Sequence, residues 1–169
     1  MDKYSVLSFE KSLTPIIGIL TGLEYAHSKG IIHRDLKPSN VMFSLPQKTF
    51  KIIDFGISAF MDINGHTRLT KTGERVAGGS FIDPQLQINP LLRDVRSDIY
   101  SVGAIWYYLL TEQVPSGADM EQNLCNIARI SGAQASVILK CLSYNLDDRY
   151  NSCLELKKLL LGLKNKYGR

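Results

Sequence analysis

A chain of 169 residues, 44% hydrophobic and 21% charged, is long enough for one packed domain and too short for two sizeable ones, and its composition excludes a disordered or fibrous protein. The net charge of +4 is spread along the sequence, with modest concentrations at 68–75 and 157–169, so it singles out neither nucleic acid nor an anionic membrane as a partner. Cys125, Cys141 and Cys153 are odd in number and follow neither metal-ligand spacing nor a pairing pattern, which reads as small buried thiols in a reducing compartment. The N-terminal stretch has no apolar signal core. The most apolar window, Val102 to Leu110, is nine residues long, well short of a membrane span, so a cytoplasmic location is expected.

In chain order, Leu13, Ile16, Ile17, Leu20, Leu23 and His27 recur at helical spacing, with Gly30 just beyond as a stop. Pro15 fits best as the first helical residue behind a Thr14 cap, with an earlier start at Ser8 and a kink at Pro15 as the alternative. Val41 to Ser44 and Thr49 to Ile53 are short extended pieces around a turn containing Pro46, and predict a hairpin. From Asp62 to Ser80 the chain is polar, rich in Gly and Thr and without periodicity, as in a functional surface loop. Asp98 to Leu110 is apolar nearly all round, the pattern of a helix buried mid-domain. A shorter helix is expected over 119–130. Two more begin at capping-box pairs, Ser131 with Gln134 and Ser152 with Glu155. They carry apolar stripes at Val137, Ile138, Cys141 and Leu142, and at Leu156, Leu159, Leu160 and Leu163. The whole is helix-dominated with one small sheet, and no internal repeat interrupts it.

Chemistry concentrates after the first helix. The run His33-Arg34-Asp35-Leu36-Lys37-Pro38-Ser39-Asn40 fills every fixed position of the pattern H-R-D-L-x-x-x-N, and Asp54-Phe55-Gly56 follows fourteen residues beyond Asn40. A D-F-G tripeptide alone is common by chance. Both motifs, in order and around a predicted hairpin, resemble the catalytic loop and metal-binding motif of the eukaryotic-type (Hanks-type) serine/threonine protein kinases. Arg96-Ser97-Asp98 and the residues after it are similar to the start of that family's central buried helix, and Arg149 falls at the position of an arginine that pairs with a glutamate closing the activation segment. The resemblance spans essentially the whole chain.

The resemblance implies a mainly α fold over residues 1–169: a protein-kinase-like C-terminal lobe, a helical bundle with a small β-hairpin carrying the catalytic loop and D-F-G. It implies ATP-dependent phosphoryl transfer to Ser or Thr hydroxyls of a protein substrate, with ATP and Mg²⁺ as cofactors. Asp35 would orient the hydroxyl and accept its proton, and Lys37 would reach the transferred phosphate; lysine in D-L-K-P is the serine/threonine form. Asn40 and Asp54 would supply oxygen ligands for Mg²⁺. Met42 would form part of the floor beneath the adenine. His33 and Phe55 would stack in the internal hydrophobic column, and Asp98 would hold the catalytic loop through backbone N–H groups. Arg34, directly before Asp35, is the arrangement of family members switched by phosphorylation, with Thr67, Thr70 and Thr72 as candidate acceptors.

Two departures stand out. No G-x-G-x-x-G loop or V-A-I-K-like strand lysine occurs, so the expectation is a C-terminal lobe lacking the N-terminal lobe, which would act as a partner in cis or in trans. Little activity is expected without it. At the end of the activation segment the family's closing glutamate is Gln85, and either Gly78 holds the place of its threonine or Gly79-Ser80 stands in for its G-T pair. Gln85 is expected to offer Arg149 an amide oxygen in place of a carboxylate, so Gln85→Glu is expected to stabilise the lobe. The alternative to an active-kinase fragment is a stand-alone lobe or pseudokinase acting as a protein-interaction module. A small-molecule phosphotransferase of the antibiotic-kinase type fits the H-R-D-L-K-P run less well.

Overall fold

The structure, a computed structural model, describes residues 6–55 and 79–167. The first helix, α1, runs Phe9–Ser28 behind an N-cap at Ser8, whose hydroxyl accepts a hydrogen bond from the Lys11 N–H at 3.3 Å. The preferred start at Pro15 is not the one found: the helix takes the earlier, alternative start, and Pro15 lies inside it. The reason is tertiary. Phe9, Ser12 and Leu13 are buried, the Phe9 ring stacks on Trp106 at 5.4 Å, and the Trp106 indole N–H donates to Ser12 Oγ at 2.7 Å. These contacts hold the first two turns although Pro15 withholds one backbone donor. The helix ends at Gly30, whose φ of 72° suits a residue without Cβ.

Strands β1 (Val41–Ser44) and β2 (Thr49–Ile52) form an antiparallel hairpin in the register Val41↔Ile52, Met42↔Lys51, Phe43↔Phe50, Ser44↔Thr49. Period-two alternation turns Val41 and Ile52 to the core and leaves Met42 and Lys51 exposed. The hairpin lies close against α1 because Gly18 and Gly22, one turn apart, have no side chain. A Cβ at Gly18 would stand 2.9 Å from the Phe50 ring, and one at Gly22 would stand 3.1 Å from Ile52.

After the segment outside the described residues come a 3-10 turn, Gly79–Phe81, and the short helix α2, Pro84–Ile88, which the sequence patterns did not predict. The expected loop from Asp62 to Ser80 lies outside the described residues apart from Gly79 and Ser80. Helix α3, Arg96–Thr111, is the predicted buried helix; Ile99, Val102, Ala104, Trp106 and Leu110 have no exposed surface. Helix α4, Met120–Asn126, is shorter than expected. Helix α5, Gly132–Cys141, carries the full Ser131/Gln134 capping box.

The last helix, α6, spans Cys153–Tyr167. Its predicted capping box is half formed. Ser152 Oγ accepts from the Glu155 N–H at 3.1 Å, but Glu155 reaches past Ser152 to accept from the Asn151 N–H at 2.8 Å. Within its stripe Leu156 and Leu160 are buried, whereas Leu159 is partly exposed. The core forms where α1, α3, α5 and α6 meet, with α1 packed along α6 and the hairpin on the other side of α1. Among the described residues no helix is long and apolar enough to cross a membrane.

Candidate active site

The loop between α1 and β1 carries the chemistry-bearing residues, and its shape is imposed from behind. Arg34 has φ of 66° and Asp54 φ of 54°, left-handed values that a residue with a Cβ adopts at a cost of about 1–2 kcal/mol. Asp98, on the first turn of α3 and fully buried, offsets that cost at Arg34. Its two oxygens accept from the backbone N–H groups of His33 and Arg34, each at 2.8 Å. Carboxylate acceptors of backbone N–H groups make strong, charge-assisted bonds.

His33, also fully buried, fastens the loop to the far end of the hairpin. Its Nε2 lies 3.1 Å from the Ile53 carbonyl and its Nδ1 accepts from the Asp35 N–H at 3.3 Å. Since one partner only accepts and the other only donates, the proton sits on Nε2. The ring packs against Phe55 with centroids 4.9 Å apart.

These restraints present Asp35, Lys37 and Asn40 together. The Lys37 ammonium lies 3.2 Å from Asp35 Oδ2, both side chains partly exposed. Asn40, in a 3-10 turn over Pro38–Asn40, is buried and donates Nδ2–H to the Asp35 carbonyl at 2.9 Å, while its amide oxygen lies 3.5 Å from the Ser39 hydroxyl. Asp54 is exposed just past the hairpin, and Met42 is 55% exposed on the outer face of β1.

Another buried charge is Arg149, and here the expected partner is wrong. Gln85 does not meet Arg149: its amide nitrogen, Nε2, donates to the Tyr144 carbonyl at 3.1 Å. Asp83, two residues earlier, forms a bidentate pair with Arg149 at 2.7 and 2.9 Å, with both side chains fully buried. Arg149 also donates to the carbonyls of Ser143, Arg96 and Tyr144 at 2.7, 3.1 and 3.1 Å, so all five guanidinium N–H groups are used. The carboxylate has moved to the near side of Pro84. From there the same Asp83 caps α2 by accepting from the Gln85 N–H at 2.9 Å. A cleft of about 340 Å³ opens between this corner and Val114 to Ser116, with Gly79, Ser80 and Tyr100 in its wall.

The Arg34 guanidinium donates to the Pro90 carbonyl. Thr67, Thr70, Thr72 and Gly56 lie outside the described residues. Beyond Asp83, sequence reasoning missed His27, whose Nε2 is 2.8 Å from Asp98 Oδ2. It was counted among the apolar positions of the helix. A titratable side chain at a core-facing position is itself the signal that a buried partner exists.

Residues 4–166 match the protein kinase domain family. The chain is 34% identical over 161 residues to a probable serine/threonine-protein kinase of Streptomyces coelicolor, covering 88% of this chain and 24% of that protein. It is 31% identical over 163 residues to the probable serine/threonine-protein kinase PknB of Bifidobacterium longum, covering 89% and 23%. It is 30% identical over 169 residues to the serine/threonine-protein kinase PknB of Mycobacterium tuberculosis, covering 92% and 26%. The chain thus spans about a quarter of the length of these relatives. With its helical core, its hairpin and the H-R-D-L-K-P-S-N loop braced by Asp98, the chain belongs to the protein kinase domain family.

Proposed function

We propose that this chain is the C-terminal lobe of a serine/threonine protein kinase and carries the acceptor side of ATP-dependent phosphoryl transfer to protein hydroxyls. The observation that carries the reading is the grouping of Asp35, Lys37 and Asn40 on one braced loop, with Lys37 3.2 Å from Asp35 and Asn40 bonded to the Asp35 carbonyl. Asp35 orients the substrate hydroxyl and takes its proton. Lys37, within reach of the same oxygen, balances charge on the transferred group. Lys37 in D-L-K-P supports Ser or Thr over Tyr as acceptor, and the cleft beside Gly79 and Pro84 suits an extended protein substrate.

Asn40 and Asp54 are the residues that would hold Mg²⁺. Among the described residues no group of three or more His, Cys, Asp or Glu is placed to hold a metal. One amide oxygen and one carboxylate suit a hard cation that takes its other ligands from phosphate and water. The cation, when bound with ATP, supplies charge neutralisation at the phosphates. Met42 floors the adenine, and a second lobe, in cis or in trans, covers the nucleotide. Three free cysteines support a reducing, cytoplasmic setting. Phosphate on Thr67, Thr70 or Thr72 would draw Arg34 from the Pro90 carbonyl and act as a switch.

Transfer of the ATP γ-phosphate to a generic protein substrate tests the reading, comparing this chain, the same chain with its upper lobe, and Asp35→Ala in the latter. The expected result is little transfer by the chain alone, robust transfer by the two-lobed form, and a loss of roughly 10²–10⁴-fold on Asp35→Ala. Undiminished transfer by Asp35→Ala overturns it and leaves a binding module as the better reading.

A further inference from the structure

Behind the catalytic loop, three helices each give one side chain to a hydrogen-bonded series. Asp98 on α3 accepts from the His33 and Arg34 N–H groups, and its Oδ2 also stands 2.8 Å from His27 Nε2 on α1. The other ring nitrogen, Nδ1, lies 3.7 Å from Sγ of Cys153, the first residue of α6 and 1% exposed. With Nε2–H donating to the Asp98 carboxylate, Nδ1 is left to accept. Burial, reinforced by Asp98 and Cys141 nearby, pushes the Cys153 thiol up, which keeps the proton on sulfur and makes it the donor to Nδ1.

We propose that Cys153 and His27 are positioning residues for the catalytic loop: Asp98 selects the Nε2–H tautomer of His27, the Cys153 thiol anchors the ring by donating to the Nδ1 this leaves, and the ring in turn fixes Asp98 against the His33 and Arg34 amides. The geometry gives this series leverage. Arg34 is left-handed, and its amide bond to Asp98 opposes relaxation to a commoner conformation. Asp35 is the next residue, so any rotation released at Arg34 moves the carboxylate beside Lys37. The register that brings His27 to Cys153 is set independently by the ion pair of Glu24 with Lys157, one turn away on the same two helices. Packing of α1 on α6 therefore does not depend on the thiol. The consequence for catalysis rests on the kinase reading; the series itself does not.

The test reads the chain directly and needs no phosphoryl transfer. Imidazole ¹⁵N–¹H spectra at pH 7 report the His27 tautomer, and amide hydrogen exchange reports His33 and Arg34, in the wild type, Cys153→Ala, His27→Gln and Lys157→Ala. The wild type should hold a single Nε2–H tautomer. Cys153→Ala should keep the Nε2–H tautomer, shift the Nδ1 resonance as its donor is lost, and speed exchange at His33 and Arg34 about tenfold, the size of effect expected from weakening one buried hydrogen bond, while Val102 to Leu110 keep their protection. His27→Gln, whose amide Nε2 can still donate to Asp98, should stay within about threefold of the wild type at both amides. Lys157→Ala should leave the tautomer unchanged. An unshifted Nδ1 resonance in Cys153→Ala, equal acceleration along α3, full loosening in His27→Gln, or a changed tautomer in Lys157→Ala would each reduce Cys153 to a packing residue and overturn the proposal.

Discussion

Arg149 donates five hydrogen bonds and faces the Tyr100 ring at 5.0 Å, so its charge is spent on named partners, and Asp83 is the only carboxylate among them. Removing one member of a fully buried pair strands the other. Asp83→Ala is expected to lower unfolding free energy by about 3–5 kcal/mol in urea titration. Gln85→Glu, expected from sequence to stabilise, should instead leave the thermal midpoint unchanged or lower, because it removes the donor to the Tyr144 carbonyl and adds no bond to a saturated arginine. A rise in the midpoint would restore the residue-85 pairing. Arg149 itself was legible in the sequence and its partner was not. Position relative to Pro84 pointed to residue 85, while the direction in which a short helix starting at Pro84 presents each side chain decides for Asp83.

Helices with sustained apolar periodicity were legible, and the buried α3 most of all, because its side chains demand cover on every face. What escaped were the short elements, such as α2 and the 3-10 turns, which have too few residues to show a period. Boundaries depended on partners too: nothing local tells a reader that Phe9 and Ser12 will meet Trp106 and carry α1 past Pro15. Close approach between elements leaves its trace in glycines. A Cβ on Gly103 of α3 would stand 2.6 Å from the Cys141 Cβ on α5 and 3.3 Å from Leu142, so Gly103→Ala should destabilise by about 1–3 kcal/mol despite the better helix propensity of alanine. Gly18→Ala meets the more movable Phe50 ring and should lose less. Chemical denaturation of the two variants side by side checks the order, and a more stable Gly103→Ala would refute it.

Across the whole molecule, several acidic groups are held protonated by burial. Burial pushes the Cys141 thiol up to about 12 from an ordinary 9.0, and raises Cys153, Tyr150 and Tyr100 as well. As pH rises past 9, the unfolded chain releases these protons while the folded chain retains them, so the unfolded state binds fewer and stability falls. The urea midpoint should decline from about pH 9 upward, and Cys141→Ala should flatten that decline even though the cavity it leaves lowers the plateau. A midpoint independent of pH between 8 and 10.5 would contradict this. Asp98 has a further consequence, one of timing. The H-R-D loop ends at Asn40, yet the carboxylate that bends it is read out 58 residues later and the helix that closes the series begins at Cys153. During synthesis at about 5–20 residues per second, the loop leaves the ribosome several seconds before Asp98. The loop is thus unbraced until α3 has emerged: the residues it carries are made early, and the ones that give them their shape arrive late.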